Sequence, residues 1–272
     1  MLKHSRAIVL VLAVLTLLIP ASTLAIPSAR FYREGGDIFD DWDICRTNGV
    51  GEDGFFQISL TGFCPIIAYE SLGGNADRAY RIGQQFALDH PDTTQRAERL
   101  FAFVRDRIRY NSDESQFGFV EFAQNADELA LTIEGKGVAY GDCEDYAVLL
   151  AVMYKGAGFR SAIVLTQEHT AALIYLPQYK KANQILSVDG ETGWIWAEAT
   201  GRNNPLGWMP EEFMWAELQV YEVEDKAISK GEPPDKPSTV ITPNDGSSGI
   251  YVSPFFIVIV LLLLLSLAGR RR

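Results

Sequence analysis

The chain has 272 residues, 47% of them hydrophobic, and its 35 acidic against 24 basic side chains leave a net charge of −11. That balance disfavours a nucleic-acid binder, which needs clustered Lys and Arg against phosphate. Acidic excess of this kind keeps a surface soluble in a salty exterior.

In chain order, Lys3 and Arg6 precede an uncharged apolar run from Ala7 to Ile19, and Pro20 to Ala25 supplies small residues. This is the layout of a secretory signal cleaved after Ala25 or, because Ala7 to Ile26 approaches about 20 residues, of an N-terminal anchor. Either one exports the downstream chain. Residues 26–75 read as an N-terminal extension in which Cys45 and Cys64 flank Phe55 to Leu60. In an exported protein these two can form a disulfide, which leaves Cys143 as the odd free thiol. Asp37 to Asp43, with four aspartates, reads as a solvated acidic loop or a metal site.

Two helices come next, over residues 76–90 and 94–109. Ala97, Leu100, Phe101, Val104 and Ile108 form one apolar face of the second, and Asp92 or Thr93 caps it. A further helix is expected around Asn125 to Leu129.

The glycine-marked loop at Gly141 then runs into an apolar helix. Tyr146, Ala147, Leu149, Leu150, Met153 and Tyr154 repeat at helical period, and the pattern stops at Gly156 and Gly158. Cys143 therefore lies in the first turn, where unsatisfied N–H groups favour a thiolate. The neighbouring Asp142, Glu144 and Asp145 oppose one. Ser161 to Thr166, Ala171 to Leu176 and Trp194 to Thr200 read as three strands, with His169 at the start of the second and Glu198 at one end of the third. Cys143, His169 and Glu198 are thus the candidate nucleophile, base and orienting carboxylate, with Asp189 a rival for the third role. The Cys143 N–H is the natural oxyanion donor, and Gln124 and Tyr140 are candidates for a second.

The stretch Gly141 to Leu150, then Gly156 to Ala162, His169 and Trp196-Ala197-Glu198-Ala199-Thr200, resembles the core of the transglutaminase-like superfamily, over roughly residues 76 to 215. The resemblance implies a papain-like α+β fold in a domain of residues 76–225. It also implies Cys143 as nucleophile, His169 as base and then acid, and Glu198 as the group that fixes the imidazole tautomer. Gly141-Asp142-Cys143-Glu144-Asp145-Tyr146 is similar to periplasmic bacterial transglutaminase-like cysteine proteinases. Glu198-Ala199-Thr200 resembles archaeal and bacterial proteins of the superfamily in which Glu replaces the usual Asp. Two features depart from the pattern: Pro177 to Thr192 is an apparent insertion, and Thr170-Ala171 stands where an aromatic residue often comes after the histidine. Asp142, Glu144 and Asp145 resemble positions near a calcium site in some of these proteinases, although no EF-hand spacing is present.

Residues 226–249, with Pro233-Pro234, Pro237 and Asp245-Gly246-Ser247-Ser248-Gly249, read as a stalk that cannot bury enough apolar surface to fold alone. Residues 250–269 carry no charge and precede Arg270-Arg271-Arg272, the pattern of a transmembrane helix with a cytoplasmic basic tail. A processed sorting signal is the alternative. The expectation is a membrane-tethered, extracytoplasmic cysteine peptidase or amidase acting on a protein or peptide through a thioester, with no cofactor unless Ca²⁺. Its rivals are a crosslinking transglutaminase and a non-catalytic surface binding module.

Overall fold

The computed structural model describes residues 31–40, 46–47, 56–59, 62–65, 77–120, 122–166, 169–216, 218–223 and 238–240. Segments 1–25, 241–272 and most of the expected stalk lie outside these residues, as do Cys45 of the expected disulfide and Asp41 to Asp43 of the acidic loop. Among the described residues no helix is long and apolar enough to cross a membrane.

The extension forms two hairpins, β1 (Phe31–Glu34) with β2 (Asp37–Asp40), and β3 (Phe56–Ser59) with β4 (Gly62–Pro65). It is joined to the next domain through Arg46, which is buried. The Arg46 guanidinium donates to the Ala123 carbonyl at 2.7 Å and to both carboxylate oxygens of Glu128 at 3.0 and 3.2 Å.

Helices α1 (Asp77–Asp89) and α2 (Thr93–Arg107) come next, and the Asp92 carboxylate caps α2 by accepting from the Gln95 N–H at 2.7 Å. The expected second helix ends two residues early. Ile108–Tyr110 instead forms β5, paired in parallel with β6 (Ala139–Gly141). Ile108 is still buried, so it matches the helical apolar period without being helical; the strand-favouring Ile108 and Tyr110 find a partner strand only in the folded chain. The short α3 (Asp113–Phe117) and α4 (Ala126–Lys136) complete this layer, α4 starting with a capping box between Asn125 and Glu128.

Helix α5 (Cys143–Gly156) is buried on nearly every side, because α1, α2 and α4 cover one flank and β7 (Ser161–Leu165) and β8 (Thr170–Tyr175) the other. Two glycines let α1 and α5 touch backbone to backbone. A Cβ on Gly83 would meet the Met153 carbonyl oxygen at 2.1 Å, and one on Gly156 would meet that of Tyr80 at 2.0 Å.

The main sheet has six strands in the order β12-β11-β7-β8-β10-β9, where β9 is Ile185–Val188, β10 Glu191–Ala197, β11 Leu218–Glu222 and β12 Ser238–Val240. Its pairings are antiparallel. Period-2 alternation divides its side chains: Ile163, Leu165, Ala172, Ile174, Ile195 and Ala197 pack into the helical core, while Val164, Leu173, Trp194, Trp196 and Val220 form a second cluster on the other face. The apparent insertion holds β9, which forms a hairpin with β10. Asp189 sits in the turn of that hairpin at φ 49°, beyond the end of the β8–β10 ladder that starts at Tyr175 and Trp194. The rival carboxylate is therefore at the opposite end of β10 from Glu198.

Candidate active site

The β8–β10 register pairs Ala172 with Ala197 and Leu173 with Trp196. Continued by one step, it sets Ala171 opposite Glu198, and His169 two residues back on the same face. That is the diagonal distance at which long side chains meet across antiparallel strands. His169 Nε2–H donates to the Glu198 carboxylate accordingly. The backbone carbonyl of His169 accepts from the Thr166 N–H at 2.9 Å and the Thr166 hydroxyl at 3.1 Å, which anchors the backbone that carries the ring to the end of β7.

Glu198 is only 3% exposed. Burial works to raise its pKa, but hydrogen bonds from His169, the Thr200 hydroxyl and the Thr200 N–H (3.1 Å) outweigh it and hold the group below the usual carboxylate range. Glu198 is thus an anion at neutral pH. With Nε2 committed to it, Nδ1 is the ring nitrogen left to take or give a proton. The Phe213 ring lies flat on the imidazole, 5.2 Å between centroids and 5° between planes, and also stacks on Trp196. Sequence reading missed Phe213, because 44 residues separate it from His169 and it fits no strand or helix period.

Cys143 occupies the first turn of α5, and its half-buried side chain packs on the helical core. The N-cap, Asp142, makes no side-chain cap bond, so the N–H groups there are not occupied by it. The described contact of the sulfur is with the neighbouring acid: Sγ–H donates to Glu144 Oε2 at 3.7 Å. The structure therefore brings His169 and Glu198 together, and places Cys143 against Glu144.

Gln124 has its own task. Its side-chain amide donates to the Tyr140 carbonyl at 3.0 Å and to Asp145 Oδ2 at 2.6 Å, and its backbone N–H donates to Asp145 Oδ1 at 3.1 Å. The amide thus ties Asp145 to β6. The Tyr140 ring is half-exposed.

Asp145 belongs to a cluster with Asp113, Asp142 and Glu144, one carboxylate oxygen of each lying within 4.8 Å of the others. Asp113, Glu144 and Asp145 are at most 1% exposed. Buried oxygens of Asp113, Asp142 and Glu144 have no hydrogen-bond partner, and no ion pair among the described residues involves any of the four acids. Burial, then the charge of Asp142, pushes Asp113 up to about 7. Burial and neighbouring carboxylates likewise push Glu144 and Asp145 well up. Four converging acids, three of them with an orphaned oxygen, fit a hard divalent cation such as Ca²⁺, which prefers several carboxylate oxygens. Three of them are the expected candidates; Asp113, on α3, had no signal in the sequence.

A cavity of about 620 Å³ opens beside the His169–Glu198 pair, lined also by Asn204, Trp208, Glu212 and Phe213. The transglutaminase-like superfamily matches residues 80–213. No curated protein matches the chain.

Proposed function

Through residues 80–213 the chain belongs to the transglutaminase-like superfamily, and from that premise we propose that it is a thiol enzyme acting through Cys143, His169 and Glu198, with peptide or amide hydrolysis as its reaction. The observation that carries the proposal is the pairing of half-buried His169 with buried Glu198. It fixes one tautomer, leaves Nδ1 as the working nitrogen and stabilises an imidazolium.

Topology supports bringing the thiol to that nitrogen. The 14 residues of α5 span about 21 Å. The chain then turns, Ser161 Oγ donates to the Ala151 carbonyl at 2.6 Å, and the 5 residues of β7 cover about 17 Å on the return. The end of β7, and with it His169 before β8, thus comes back toward the helix start that carries Cys143.

In the proposed reaction His169 Nδ1 takes the thiol proton, and the thiolate attacks the amide carbonyl carbon. A C–S bond forms, and the carbonyl electron pair moves to oxygen beside the Cys143 N–H. Collapse breaks the C–N bond, and the imidazolium returns its proton to the leaving amine. Water then resolves the thioester, with His169 as base. Water is favoured as acceptor because it is always present.

A cation held by Asp113, Asp142, Glu144 and Asp145 would supply positive charge that neutralises the acids opposing the thiolate. Residues Asp142 to Asp145 would then be held in place around the thiol. The apolar termini support export and tethering, with the catalytic domain outside the membrane and its substrates at the cell surface.

The test is the alkylation rate of Cys143 against pH in the full chain, His169→Ala and Glu198→Gln. The expected rate persists well below the free-thiol pKa of about 8.5 and collapses in His169→Ala. A free-cysteine profile in all three proteins overturns the proposal in favour of a binding module. Peptide pools with and without a primary amine separate the chemistries, new N-termini marking hydrolysis and amine incorporation marking crosslinking. Protease accessibility on intact cells tests the tether.

A further inference from the structure

The cavity beside His169 has a chemistry of its own. Glu212 lines it, and neither Lys nor Arg is among its lining residues. Trp208, 39% exposed, offers an indole to it, and Phe213 closes the wall nearest the imidazole. At about 620 Å³ the space holds one extended side chain and the peptide group that bears it.

The wall is built rather than draped. The Asn183 side chain brackets Met209, accepting from its N–H at 2.9 Å and donating to its carbonyl at 2.8 Å. The Gly207 N–H donates to the Trp196 carbonyl at 3.0 Å, and Arg105 donates to the Asn204 carbonyl at 3.1 Å. Asn183 comes from the apparent insertion, Pro177 to Thr192. The segment that departs from the family pattern thus holds the wall that carries Trp208 and Glu212.

Position relative to the chemistry assigns the occupant, an argument that rests on the thiol-enzyme reading above. His169 delivers its proton to the leaving nitrogen, so that nitrogen and its substituents lie on the His169 side of the reacting carbonyl. The cavity is lined by His169 and Glu198 but not by Cys143. It therefore receives the amine half of the substrate.

We propose that this cavity is a subsite for a cationic residue, Lys or Arg, on the amine side of the bond that is broken. Glu212 supplies the countercharge, and the Trp208 ring supplies a face for the ammonium or guanidinium and its aliphatic stem. A chain of net charge −11 favours cationic over anionic substrates in general.

The test titrates the full chain with lysine amide, which mimics the released amine half, and with norleucine amide and glutamate amide, tracking tryptophan emission. The response is assigned to Trp208 by its loss in Trp208→Phe. Lysine amide is expected to bind about tenfold tighter than norleucine amide, the sum of one partly exposed charge pair and one cation–π contact. Glutamate amide is expected to bind weakest, and Glu212→Gln to bring lysine and norleucine amides within about twofold. Equal affinities in the unaltered chain, or discrimination that survives Glu212→Gln, overturn the subsite. The Cys143 alkylation profile reports separately on catalysis: discrimination beside a free-cysteine profile keeps the subsite and rejects the enzyme.

Discussion

His169 and Phe213 lie stacked with nearly parallel ring planes, and Phe213 also stacks on Trp196 of β10. The imidazole is thus fixed by two orthogonal constraints: Glu198 sets its rotation in the plane through Nε2, and Phe213 sets the plane itself. Phe213 is a positioning residue, since it acts through His169. Phe213→Ala is expected to slow Cys143 alkylation at pH 6 by about three- to tenfold, the worth of one aromatic contact. Phe213→Tyr, which keeps the ring, should restore most of the rate. An unchanged pH profile in Phe213→Ala would show that the stack is only packing.

Glu198→Gln keeps the shape of the orienting group but cannot stabilise an imidazolium. Loss of any turnover by about two to four orders of magnitude is expected, with the fold retained by circular dichroism. The lowered Glu198 pKa also gives a sign for stability: the paired carboxylate contributes above the ordinary Glu value of 4.5, and its contribution is lost as pH falls through the lowered native value. Acid unfolding of Glu198→Gln should therefore lack that component.

The acid cluster predicts opposite pH behaviour. With no divalent cation, Asp113 binds its proton more tightly in the native state, about 7 against 3.8, so stability falls as pH rises through that window and levels above it. Thermal unfolding in a chelator should show this fall. Millimolar Ca²⁺ should raise the midpoint most above pH 7, where the carboxylates are free to bind it. Asp113→Asn is expected to raise the midpoint in chelator and to shrink the Ca²⁺ effect. A midpoint that ignores Ca²⁺ at pH 8 would leave shared protons as the occupants of the cluster.

At the crossing of α1 and α5, Gly83→Ala and Gly156→Ala each place a methyl about 2 Å from a backbone carbonyl that cannot step aside alone. Each is expected to cost about 2–4 kcal/mol in denaturant unfolding. The double variant should cost less than the sum, because one displacement of the helices relieves both.

Arg46→Met tests whether the extension is part of the domain. It leaves Glu128 and the Ala123 carbonyl without their buried partner, and a loss of about 3 kcal/mol is expected. A change under about 0.5 kcal/mol would show that the extension is a dispensable lead-in.

Local pattern and motif were enough for much of this. The helical period after Cys143 placed the thiol in a first turn, and the strand-like runs around His169 and Glu198 set each at a strand end, because these signals act over spans of four to ten residues. The end of α2 was misread for the same reason: Ile108 satisfies the helical period and the strand pairing alike, and only β6, some thirty residues later, decides between them.

The superfamily core and the helix that begins at Cys143 were thus legible in the chain itself, whereas the choice of Glu198 over Asp189 as the partner of His169 needed the β8–β10 register. Folding in three dimensions settled the rest. Asp113 reaches the acids around Cys143, Phe213 covers His169, Arg46 enters from the extension, and Asn183 holds the wall of the cavity. Each depends on contacts between residues distant in the chain, which packing and burial select and no local pattern records.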